Sequence, residues 1–210
     1  MTNILVVPSG YLKDVFNNLG YPSIIIPNTI NLDKFNFRKR KKITPKILSA
    51  RNLTPVYNIS CVIRAFKLLR DQYSNATLTI AGDGPEKDEL LSLTEKLNLQ
   101  HSVKFLGNIP NNAMSELYNQ ADILVNASNI DNMPVSILEA QAMGLVVVST
   151  NPGGIPYIIE NGYTGLISEV NNDKKLGENL IEAVRDQDKS KSMITNSKNY
   201  VGKVSPGQAD

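Results

Sequence analysis

Cysteine and histidine each occur once in the 210 residues, as Cys61 and His101. A single thiol leaves no partner for an intramolecular disulfide, and one Cys with one His cannot assemble a structural zinc set. Long apolar runs are missing as well: none approaches the roughly 18 residues that span a bilayer. The opening residues, Met1-Thr2-Asn3-Ile4-Leu5-Val6-Val7-Pro8, lack the basic flank and length of a secretory signal. These absences predict a soluble, cytoplasmic chain with at most peripheral contact at the inner face of a membrane. An excess of one charge is lacking too, the net charge being +2. No basic surface interleaved with aromatics is evident, which argues against nucleic acid as a partner. Neither G-x-G-x-x-G nor a phosphate-loop lysine motif occurs, which argues against dinucleotide and ATP sites.

What is present is an ordinary globular mix with 41% hydrophobic residues. Short runs rich in Val, Ile and Leu recur at 4–7, 23–26, 47–50, 77–81, 103–106, 123–125 and 145–149. Several are apolar on consecutive residues, as strands covered on both faces are. Stretches of helical period separate them, at 59–69, 90–97, 114–120 and 176–184. The alternation predicts an α/β fold, a Rossmann-like parallel sheet with helices on both faces. The run Arg38-Lys39-Arg40-Lys41-Lys42, followed by Thr44-Pro45, marks a boundary. It reads as a solvated linker, with attraction to acidic headgroups or a phosphorylated ligand as the other reading. Residues 1–36 then form a strand–helix–strand piece, 37–45 a basic linker, 46–187 the main domain, and 188–210 a loosely held polar tail.

Three segments carry candidate chemistry. Asp131 to Ala140 joins the strand at 123–125 to a helix, so it lies at the carboxyl end of a parallel sheet, where ligands of open α/β sheets bind. Pro134 suits a first helical position, Asp131 or Asn132 can cap, and the free amides of the first turn can hold a phosphate. The spacing of Val135, Leu138 and Ala142 predicts a core-facing stripe with Glu139 at its margin. There Glu139 is either a ligand for sugar hydroxyls or a solvated helix acid. The second segment, Ala81-Gly82-Asp83-Gly84-Pro85-Glu86, and the third, Asn151-Pro152-Gly153-Gly154-Ile155-Pro156, follow strands directly. Their glycines either let backbone approach a ligand or merely reverse the chain.

Together with Ser9-Gly10-Tyr11-Leu12, Ile26-Pro27-Asn28-Thr29-Ile30, Phe105-Leu106-Gly107-Asn108-Ile109-Pro110, Leu117-Tyr118-Asn119-Gln120-Ala121-Asp122 and Asn161-Gly162-Tyr163-Thr164-Gly165-Leu166, these segments resemble a family 4 (group 1) glycosyltransferase over residues 4–187. The resemblance implies the C-terminal half of a GT-B fold. It also implies a retaining, metal-independent hexosyl transfer from a UDP- or GDP-linked sugar, bound as substrate and not as cofactor, to a glycan or lipid-linked acceptor in polysaccharide biosynthesis. By the same resemblance Glu139 binds the ribose hydroxyls, and Asp131 faces the transferred sugar. The amides of Met133 and Val135, flanking Pro134, hold sugar or phosphate oxygens, while Gly82, Gly84, Pro85, Asn108 and Ile109 border the base.

Departures from the family pattern set further expectations. Asn52 and Tyr57 stand where the family has an Arg and a Lys that clamp the pyrophosphate. Arg51 is an adjacent substitute, although strand alternation predicts that it points to the other face. Asp131 replaces the family's Glu and is one methylene shorter. Residues 1–36 match only the end of the family's N-terminal, acceptor-binding domain, so that domain or a second chain is an expected partner and the chain alone is expected to be inactive. The alternative is a non-catalytic nucleotide-binding or partner-docking module derived from such a domain.

Overall fold

The computed structural model describes residues 4–205. At its start β1 (Leu5–Val7) and β2 (Ser23–Ile25) pair in parallel, joined through α1 (Gly10–Asn18). Ser9 caps that helix, its hydroxyl accepting from the Leu12 N–H at 3.3 Å. This small sheet has little to cover it, and Val6, Ile24 and Ile25 are exposed.

The main sheet holds six parallel strands: β3 (Lys46–Ala50), β4 (Thr77–Ala81), β5 (Val103–Phe105), β6 (Ile123–Asn126), β7 (Val146–Thr150) and β8 (Leu166–Ser168). Their spatial order is β5-β4-β3-β6-β7-β8. The chain winds outward from β3 to β5, then returns to the far side of β3 with β6. The loops after β3 and β6 therefore diverge and leave a crevice at the carboxyl ends of the strands.

Consecutive apolar residues in β6 and β7 serve two cores at once. Ile123, Val125, Val146 and Val148 pack on one face with α2 (Ile59–Gln72), α3 (Lys87–Lys96) and α6 (Asp173–Arg185). Leu124 and Val147 pack on the other with α4 (Met114–Gln120) and α5 (Val135–Ala142). In α2 the residues Ile59, Val62, Ile63, Phe66 and Leu69 fall on one buried stripe. Asn58 opens that helix in the left-handed region, and its side chain accepts from the Cys61 N–H.

Two expectations are corrected here. The polar tail is a helix, α7 (Gln187–Val204), whose face Ser190, Met193, Ile194, Ser197 and Val201 is buried. Two of its five inward positions are serines, so hydrophobic periodicity alone hides the stripe. Ser190 Oγ donates to the Ala183 carbonyl and Ser197 Oγ to that of Ile194, which satisfies both hydroxyls inside the core. Asp186 caps the helix by accepting from the Lys189 N–H. Residues 206–210 of the expected tail lie outside the described residues.

The second correction concerns the basic run. Lys39, Lys41 and Lys42 are exposed as a solvated linker requires, but Arg40 and Ile43 are buried. Arg40 Nε donates to Asp122 Oδ1 at 2.9 Å. Its terminal nitrogens donate to the carbonyls of Met143, Gly144, Tyr118 and Ala121 at 2.6–3.1 Å. The second Asp122 oxygen accepts from the Thr44 N–H and hydroxyl. A charge block thus contains one cation that nails the entering chain to α4 and to the start of β7.

Candidate functional site

A cavity of about 470 Å³ opens at the carboxyl ends of β3 and β4, beside the start of α5. Its wall includes Arg51, Gly82, Asn108, Ile109, Val135 and Glu139. Six of the sequence candidates therefore meet in one place. Gly84, Pro85, Asp131, Met133 and Pro134 do not line it. Asn52 and Tyr57 do.

Glu139 is the fifth residue of α5, partly buried, and its Oε2 accepts from the Tyr118 hydroxyl at 2.7 Å. Burial pushes the Glu139 carboxyl above its ordinary value, while the Tyr118 hydrogen bond pulls it back down. Burial and the nearby Glu139 charge push the Tyr118 phenol well above its ordinary value, so Tyr118 remains a donor. Glu139 is thus an acceptor with one oxygen held by the protein, on the wall of a solvent-filled cleft. A vicinal diol is a donor pair of matching reach.

Arg51 reaches this wall, contrary to the alternation argument. It follows Ala50, the last residue of β3, so the pleat no longer fixes its direction. Its guanidinium lies 5.0 Å from the centroid of the Tyr57 ring. Nε donates to Asn126 Oδ1 at 3.1 Å, and a terminal nitrogen pairs with Asp131 Oδ2 at 2.5 Å. Asp131 therefore touches the cavity through Arg51. Asn126, the single polar residue of β6, also donates to Ser149 Oγ and accepts from Ser128 Oγ.

The start of α5 differs in detail from the expectation. Pro134 stands at the cap, one residue before the first helical position, and no side chain caps the helix. Asn132 instead accepts from the Ser9 hydroxyl, and the Met133 carbonyl accepts from Asn28 Nδ2 at 2.8 Å. Both bonds tie the first sheet's chain to this junction, as does the Tyr157 hydroxyl donating to Asp14 Oδ2 at 3.0 Å. Val135 is 41% exposed and forms the cavity rim, while Leu138 and Ala142 do face the core. Of the first-turn amides, that of Ile137 donates to the Pro134 carbonyl at 3.1 Å, while those of Val135 and Ser136 lie where these residues border the cleft.

The glycine segments resolve toward packing. A Cβ at Gly82 would stand 2.0 Å from the Arg51 carbonyl oxygen, and one at Gly154 would stand 1.9 Å from that of Asn132. These glycines let neighbouring loops lie backbone on backbone, which fixes the loops carrying Arg51 and Asp131. Sequence reasoning gave no role to Tyr118, Asn126 or Ser136. The signal for Asn126 was a lone amide at the carboxyl end of an apolar strand.

Comparison with known proteins agrees with this geometry. The chain is 28% identical over 193 residues to the N-acetyl-alpha-D-glucosaminyl L-malate synthase of Bacillus anthracis, covering 91% of this chain and 49% of that protein. It is 31% identical over 167 residues to an uncharacterized glycosyltransferase of Methanocaldococcus jannaschii, covering 78% and 42%. The chain thus spans about half the length of these relatives. Among solved structures, Anabaena HepE in complex with UDP superposes with a TM-score of 0.85 at 19% identity, over 97% of this chain and 60% of that one. The C-terminal domain of a group 1 glycosyl transferase from Francisella tularensis superposes with a TM-score of 0.76 at 19% identity, over 86% of this chain and 100% of that domain. The sheet order and these superpositions identify the fold as the Rossmann-like domain of GT-B proteins. Residues 32–200 match the model of the glycosyl transferases group 1 family, and the chain belongs to that family.

Proposed function

We propose that the cleft binds the nucleoside diphosphate of a nucleotide sugar, and that residues 46–204 are the donor-binding half of a retaining, family 4-type glycosyltransferase. The observation that carries this reading is Glu139: a partly desolvated carboxylate, oriented by Tyr118, on the wall of a cavity at the switch point of the sheet. In this reading Glu139 accepts from the two ribose hydroxyls. The base lies against Gly82, Asn108 and Ile109, with Gly84 and Pro85 supporting that loop from behind. The diphosphate lies between Arg51 and the first-turn amides at Val135, with Met133 and Pro134 setting their direction. Asp131 faces the transferred hexosyl group, where a carboxylate steadies the positive charge that grows as the nucleoside diphosphate departs.

Arg51 and the helix amides supply the positive potential that the leaving diphosphate needs, which makes a divalent cation unnecessary. Chelation with EDTA is then expected to leave nucleotide affinity unchanged. The Anabaena neighbour is bound to UDP and to UDP-glucose in separate structures, which supports a uridine nucleotide as the first probe. The acceptor, a glycan or lipid-linked sugar, would be met by an N-terminal domain or second chain set against the first sheet. The donor half alone would bind and not transfer. Among the described residues no helix is long and apolar enough to cross a membrane.

Calorimetric titration with UDP, GDP and their sugars tests the reading. Glu139→Ala is expected to weaken nucleoside diphosphate binding about 10- to 100-fold, since hydrogen bonds to a charged group contribute roughly 1.5–3 kcal/mol. Its melting temperature should barely move, because the side chain borders the cleft. Absence of heat with every nucleotide, in a sample shown to be folded, would instead favour a docking module without donor binding.

A further inference from the structure

We infer that Tyr118 is the positioning residue of the donor site: it holds Glu139 in one orientation and keeps it ionised while the ligand expels water from the cleft. The inference rests on the proposed binding of the ribose at Glu139 and adds the group that orients that carboxylate and favours its ionised form.

The geometry is that of a rigid pivot. Tyr118 is completely buried on α4, yet its hydroxyl edges the same cavity as Glu139 and lies 2.7 Å from Oε2. The ring meets Phe35 edge to face at 6.1 Å between centroids, with an interplanar angle of 73°. The backbone of the same residue is fixed independently, its carbonyl accepting from Arg40 at 3.1 Å. A hydroxyl clamped at both ends of its residue loses little entropy when it donates, so the bond to Glu139 is preorganised. Glu139 in turn stands on the wall shared with a second cavity, of about 610 Å³, which Lys34 and Phe35 also line.

Few other charges face Glu139. Arg51 shares its cavity wall from the loop after β3, and Lys34 shares the adjoining cavity from the segment before the basic run. Arg51 is engaged by Asp131, and α5 itself carries no second titratable side chain. On α4 the other titratable group, Glu116, is exposed and bonded to Gln120. Among the described residues Tyr118 is therefore the one neighbour hydrogen-bonded to the Glu139 carboxylate. A bound nucleoside would bury Glu139 further and strengthen the tendency to protonate, which raises the weight of that single donor.

The test follows the Glu139 carboxyl carbon by 13C NMR through a pH titration, in ligand-free wild type and in Tyr118→Phe. Wild type is expected to titrate above the ordinary glutamate value and the variant higher still. The sign follows from linkage: the hydroxyl stabilises only the ionised form, so removing it lets protons bind at higher pH. UDP titrations across pH should show the acid limb of the variant displaced upward, with no loss of melting cooperativity. Glu139→Gln should abolish the pH dependence. Coincident NMR titrations in wild type and variant would overturn the inference even where UDP binds both. If neither protein binds a nucleotide but the NMR curves separate, the donor reading fails and the Tyr118 coupling stands. If Tyr118→Phe does not fold, the Tyr118 ring resonances of wild type decide: a shift that follows the Glu139 carboxyl titration upholds the inference, and resonances that do not respond to it overturn the inference.

Discussion

Replacing Arg40 with alanine is expected to lower stability by about 3–5 kcal/mol, the cost of leaving a buried ion without its partner. In a domain of this size that corresponds to a fall in melting temperature of roughly 6–20 °C. The guanidinium is fully buried, and all five of its N–H groups point at acceptors. Removing it leaves the Asp122 carboxylate with only Thr44, and leaves four carbonyls facing a void. Lys41→Ala, in the same charge run, should change stability by no more than about 0.5 kcal/mol, because that side chain is exposed. Thermal unfolding followed by circular dichroism separates the two. Similar melting curves for both variants would mean that the buried pair is not the anchor described here. Because the Tyr118 carbonyl is one of the orphaned acceptors, the Arg40 variant should also bind nucleotide less well at temperatures where it remains folded.

Arg51→Ala is expected to cost about 100-fold or more in nucleoside diphosphate affinity and to lower the melting temperature as well, because it leaves the largely buried Asp131 carboxylate without its ion-pair partner. Arg51 is the one cation among the described residues that line the cleft, so it is the charged donor the wall offers to a diphosphate. Two charge-assisted hydrogen bonds at roughly 1.5–3 kcal/mol each set the scale, and each 1.4 kcal/mol is a factor of ten. Arg51→Lys should recover only part, since an ammonium can neither stack on Tyr57 as a plane nor bridge Asn126 and Asp131 as a fork. The ion pair with Asp131 sharpens the expectation. A diphosphate competes with Asp131 for the guanidinium, so Asp131→Ala should bind UDP at least as tightly as wild type while losing preference for UDP-sugar over UDP. Wild-type UDP affinity in Arg51→Ala, measured by calorimetry, would remove Arg51 from the site. Equal UDP and UDP-glucose affinities in wild type and Asp131→Ala alike would remove Asp131.

Most of the main sheet is legible in the sequence because a strand covered on both faces must be apolar at every residue, and Ile123–Val125 or Val146–Val148 show this directly. β8 is harder to read: Leu166–Ser168 is short and carries one serine, so it offers neither a run nor an alternation. α7 is hidden by Ser190 and Ser197, whose hydroxyls fold back onto carbonyls and so act as small core residues. Arg40 is hidden for the opposite reason, since its ion-pair partner lies 82 positions away and nothing local distinguishes it from its four neighbours. In the site, Glu139 is visible as a carboxylate at the margin of an apolar stripe, and its neighbour Val135 is misassigned because a cavity, not core, meets that end of α5. Tyr118 has no local signature at all. Its role exists only once α4 and α5 are packed side by side.

The junction at 132–133 binds the opening sheet on one side and begins the amide ledge of α5 on the other. Asn28 and Ser9 hold it by side-chain bonds, so a rigid swing of residues 4–28 pulls on the same three-residue lever that aims Val135. Through these bonds a displacement of the leading segment would reach the rim at Val135, and a spectroscopic label near β1 is expected to respond when the cleft fills.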